Sequence, residues 1–106
     1  MAQNERDSLV ARAWQLHREG RQNDAISQFE AVLKTAPDDL DAHYGLALAQ
    51  RSAGMTEAAL ENLKQAATAV SRAIETDPSI DRYQMLQRMV QQRISEMQLR
   101  ASHASQ

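Results

Sequence analysis

The chain has 106 residues, 42% apolar and 25% charged, the composition of one folded domain with a modest core. Twelve basic against fourteen acidic residues leave a net charge of −2, which provides neither a nucleic-acid footprint nor a polybasic membrane patch. With no cysteine, disulfides, thiolate metal sites and cysteine nucleophiles are excluded, and no apolar run reaches the length of a membrane span. The first twenty residues are charged and lack a secretory pattern, so a cytoplasmic protein is the expectation.

Sparse punctuation divides the chain into five expected helices. The first, over about 5–19, opens on Asn4 and Asp7, spaced like a capping box, and closes at Gly20, placed as a left-handed cap. The second, over 22–35, carries Ala25 and Phe29 and ends before Pro37. A third helix over 39–53 begins on Asp38 and Asp41, again three apart, and stops at Gly54. Asp38, Asp39 and Asp41 read as first-turn carboxylates facing unpaired amides, not as a metal site, because no oxygen-rich loop surrounds them. Thr56 is the expected cap of a fourth helix over 56–76, and Ser79 that of a fifth over 79–100. In the fifth, Ile80, Tyr83, Leu86, Val90, Ile94 and Met97 recur at three- and four-residue steps as one apolar stripe. The tail, 101–106, is small and polar and is expected to be flexible.

The pairs Ala13 and Ala47, Gly20 and Gly54, Ala25 and Ala59, and Phe29 and Leu63 are each separated by 34 residues. Paired helices with that period resemble the tetratricopeptide repeat family. Leu9, Ala13 and Leu16 match the family's first helix, and Ala25, Phe29 and Pro37 match its second. The resemblance implies an all-α fold, a right-handed superhelix of antiparallel helix hairpins. It divides a single domain, 1–100, into repeat one (6–39), repeat two (40–78) and a capping helix (79–100). The second repeat departs from the pattern: His43 replaces a large apolar residue and Gln50 an aromatic one. Pro37 and Pro78 lie 41 residues apart, seven more than the period, so the fourth helix is expected to be about two turns longer.

In the family, ligand peptides lie in a concave groove lined by the first helix of each pair. Carried over to this chain, those positions give Val10, Trp14, His17 and Arg18, then Tyr44, Leu48 and Arg51, then Met85 and Met89. The resemblance thus implies a groove with an apolar, aromatic and methionine-rich floor, a usual mark of peptide or helix binding. Some family members grip a C-terminal carboxylate with lysine and asparagine, but here Val10 and Trp14 stand at those first-helix positions. The expected function is a protein-interaction scaffold or adaptor that binds an apolar or amphipathic segment of another protein or peptide. The alternative is a homodimeric structural unit, or a regulatory subunit of a larger complex. Replacing Trp14 and Tyr44 by alanine is expected to remove binding while keeping the helices. No catalytic constellation is found: His17, His43 and His103 are scattered, the serines lack a nucleophile elbow, and no glycine-rich phosphate loop is present. Neither a metal nor a cofactor is expected.

Overall fold

The computed structural model describes residues 3–104, with side chains from 3 to 100. Within this span lie five helices: α1 (Gln3–Arg18), α2 (Gln22–Thr35), α3 (Leu40–Ser52), α4 (Thr56–Thr76) and α5 (Asp81–Ala104). Each packs on the next in sequence, and α1 also touches α3. This is the all-α helical-repeat arrangement expected from the period.

Helix ends follow from local chemistry. Gly20 and Gly54 adopt φ of 81° and 84°, a left-handed conformation that glycine enters without Cβ strain. Around Gly20, the Arg21 amide donates to the Leu16 carbonyl (2.9 Å) and the Gly20 amide to that of His17 (3.1 Å). Met55 and Gly54 repeat the motif on Gln50 (2.8 Å) and Arg51 (3.1 Å), satisfying carbonyls that a helix end leaves open.

The starts differ more from expectation. The backbone is already helical at Gln3, so Asn4 sits inside the first turn of α1. Asp39, rather than Asp38, caps α3 by accepting the Ala42 amide at 3.0 Å. α4 has Met55 at its cap position, with no side-chain hydrogen bond there. α5 begins at Asp81, two residues beyond Ser79, and runs to Ala104 rather than ending near 100. Its last turns are built from good helix formers, so nothing local stops it. Ser105 and Gln106, the end of the expected tail, lie outside the described residues.

The core has two parts. One joins α1, α2 and α3 through Ala13, Leu16, Phe29, Val32 and Leu46, and the other joins α3, α4 and α5 through Tyr44, Leu63, Val90 and Ile94. Trp14 packs against both. Alanines with no exposed surface at positions 13, 25, 42, 47, 49, 59 and a near-buried one at 66 let the helices approach closely. At Gly45 the approach is closer still. A Cβ there would lie 2.9 Å from Phe29 Cε2 and nearer yet to Cζ and Cε1. The two polar substitutions of the second repeat are both buried. His43 Nε2 donates to the Pro37 carbonyl (2.6 Å), while Nδ1 has no partner. Gln50 accepts from Asn62 (2.8 Å), tying α3 to α4.

α3 has 13 residues and α4 has 21, and a tight turn joins them. The last eight residues of α4 therefore overhang the start of α3 by roughly 12 Å. α5 folds back along this overhang, with the Gln87 amide donating to the Ser71 hydroxyl at 3.5 Å. The result is a projecting arm, made of the end of α4 and the start of α5.

Candidate functional site

The arm stands across from the N-terminal half of α1 and the α2–α3 loop. Between them lies an open cleft of about 1140 Å³, with the start of α3 at its base. Its apolar lining comes from Val10, Ala11 and Trp14 of α1, Leu40 and Tyr44 of α3, Ala69 and Ala73 of α4, and Tyr83, Met85, Leu86 and Met89 of α5. The last two methionines are 53% and 39% exposed, so apolar surface faces solvent here. Such a patch is characteristic of an interaction site.

Behind this surface the aromatic residues interlock. The Trp14 indole meets Phe29 and His17 edge-on, at 5.3 and 6.0 Å between ring centroids, and Tyr44 at a tilt, at 6.4 Å. Tyr44 is only 6% exposed, as is Val10. The Tyr44 hydroxyl and Glu96, to which the Arg93 guanidinium donates at 3.0 Å, both raise the Arg93 pKa. Reciprocally, Arg93 is the main cause that holds the Glu96 carboxyl below its ordinary value.

The α1 wall is charged. Arg6 binds the Asp39 carboxylate with two nitrogens, Nε on Oδ2 and a terminal nitrogen on Oδ1 (2.6 Å), and also reaches Asp7 (2.8 Å) and Asp41 (3.4 Å). Burial alone would push the Asp39 carboxyl up. The Arg6 hydrogen bond, the Ala42 amide and the Arg6 charge together outweigh that and hold it below the ordinary carboxylate value. The same bonds raise the Arg6 guanidinium.

Five of the nine groove residues expected from the repeat line this cleft: Val10, Trp14, Tyr44, Met85 and Met89. The other four lie outside its lining. His17 is half-buried at the far end of α1, its Nδ1 2.7 Å from Gln22 Oε1, and Arg18 is exposed beside it. Leu48 packs into the second core cluster, and Arg51 lies near Glu96. The reason is geometric. The overhang of α4 builds the cleft toward the N-terminal ends of α1 and α3, whereas these four residues occupy the C-terminal ends. Reading by repeat position missed Arg6, Asp38, Arg72 and the alanines of α4 as cleft residues. Only the seven-residue excess before Pro78 signalled that a wall would form there.

Trp14 and Tyr44 also prove to be structural. With Trp14 packed on both core clusters and Tyr44 buried between helices, their joint replacement by alanine would disrupt packing as well as the cleft.

Five successively packed helices, with left-handed glycine caps after α1 and α3, form an all-α helical-repeat domain. A family model described as tetratricopeptide repeat matches residues 19–90, and the chain belongs to that family. No curated protein and no solved structure matches it. Domains of this family mediate binding to other proteins and are generally non-enzymatic. Among the described residues, no helix is long and apolar enough to cross a membrane.

Proposed function

We propose that the chain is an interaction module that captures an apolar or amphipathic segment of another protein in the cleft between α1, α3 and the α4–α5 arm. The observation that carries this reading is the exposure of Met85 and Met89 on a surface continuous with Trp14. Methionine is unbranched and polarisable, so it moulds to a ligand's apolar side chains and tolerates variation among them. Trp14 adds a rigid, partly buried aromatic surface of the kind that anchors interfaces. Family membership supports protein binding in general, and the solvent-facing apolar lining of the cleft supports assigning it there.

The test uses the two methionines, because their exposure spares the core. A helical peptide of about 20 residues with a Leu/Met/Ala stripe is titrated into the protein, and the emission of Trp14, the sole tryptophan, is followed. Met85→Lys combined with Met89→Lys is expected to weaken binding at least tenfold, about 1.4 kcal/mol, with unchanged circular dichroism. Undiminished binding by this double variant would place the ligand elsewhere.

A further inference from the structure

The side chains that line the two walls of the cleft differ in charge. On the α1 side the one cation, Arg6, is shared among Asp39, Asp7 and Asp41, and with Asp38 the four carboxylates outnumber it. The Asp7 and Asp41 side chains are 56% and 52% exposed, so they meet whatever enters. On the opposite arm, Arg72 and Arg82 line the cleft and make no ion pair among the described residues. The acidic neighbours on that arm, Glu75, Asp77 and Asp81, are not part of the lining.

Resting on the cleft reading above, we propose that the occupant is an amphipathic α-helix of another protein with one basic and one acidic flank. The basic flank lies along Asp7, Asp38 and Asp41, the acidic flank along Arg72 and Arg82, and the apolar stripe rests on Met85, Met89 and Trp14. A helix is the form that suits this floor. Met85, Met89 and Val10 offer no side-chain hydrogen-bonding group for a peptide backbone. An extended peptide would bury unpaired backbone there, whereas a helix carries its own hydrogen bonds. Turning such a helix end for end exchanges its flanks, so the two walls also fix its direction.

The test compares three peptides of about 20 residues with the same apolar stripe and matched helicity. One carries Lys on one flank and Glu on the other, one carries Lys on both, and one Glu on both. The mixed peptide is expected to bind roughly tenfold more tightly than either uniform one at low salt, with the advantage shrinking as salt is added. Arg72→Glu with Arg82→Glu, both at exposed positions, is expected to transfer that preference to the all-Lys peptide. Equal affinity for all three peptides would overturn the two-flank assignment and leave the cleft reading standing. Failure of every peptide to bind would overturn both.

Discussion

Gly45 is the residue at which the sequence constrains the packing most sharply. In a helix interior alanine is favoured over glycine by about 1 kcal/mol, so propensity alone predicts that Gly45→Ala stabilises. The Phe29 ring decides otherwise, because it has no exposed surface and occupies the place a Cβ would take. Overpacking of this kind costs roughly 1–3 kcal/mol, and here the methyl group overlaps ring carbons. Gly45→Ala should therefore lower the melting temperature seen by circular dichroism. Adding Phe29→Leu should cost less than the sum of the two single changes, since each relieves the other's misfit. A stabilised Gly45→Ala variant would show that α2 and α3 do not approach so closely. The sequence hides this constraint, because nothing local marks which aromatic ring a mid-helix glycine will face. By contrast, Gly20 and Gly54 were legible as caps, since the left-handed backbone needed there is a local property.

Arg6 and Asp39 form the other residue-scale device, linking α1 to the cap of α3. They are 33 positions apart, and no spacing rule predicts the pairing. Arg6→Ala leaves a partly buried carboxylate without its cation, which should cost about 1–3 kcal/mol in urea unfolding near neutral pH. The pH dependence has a definite sign. Asp39 titrates below its ordinary value of 3.8 in the folded chain. Its contribution is thus fully present above that value and is lost as pH falls through the depressed folded one. Wild type should lose more stability on acidification than Arg6→Ala does. Equal acid-side losses would mean that the pair contributes nothing through Asp39 ionisation.

At the scale of elements, α5 acts both as lid and as wall. Its Val90, Ile94 and Met97 close the second core cluster over Leu63 and Ala66, while Met85 and Met89 face the cleft. A chain ending at Pro78 should expose that cluster, bind a hydrophobic dye and lose its cooperative thermal transition. An unchanged sharp transition would show that two repeats suffice without a cap. The length of α4 was readable from the distance between Pro37 and Pro78. What its overhang would face was not, because that depends on how all five helices stack. Transferring groove positions from a repeat of equal-length hairpins therefore found the floor of the cleft and spread the remaining positions beyond it.

As a whole the molecule is a slab of about 48 × 33 × 20 Å, with the open cleft between α1, α3 and the α4–α5 arm. Two full repeats are too few to make a long superhelical groove. The extended α4 compensates by raising a second wall, which turns a shallow face into a notch with an apolar floor and sides whose lining side chains differ in charge. On the proposed reading this notch is open and takes up a different protein. Molar mass by light scattering across a wide concentration range tests it most directly. A monomer of 11.9 kDa is expected at every concentration. A stable dimer whose mass falls back to the monomer on Met85→Lys and Met89→Lys would contradict it, because the cleft would then already be filled by a second copy of the chain.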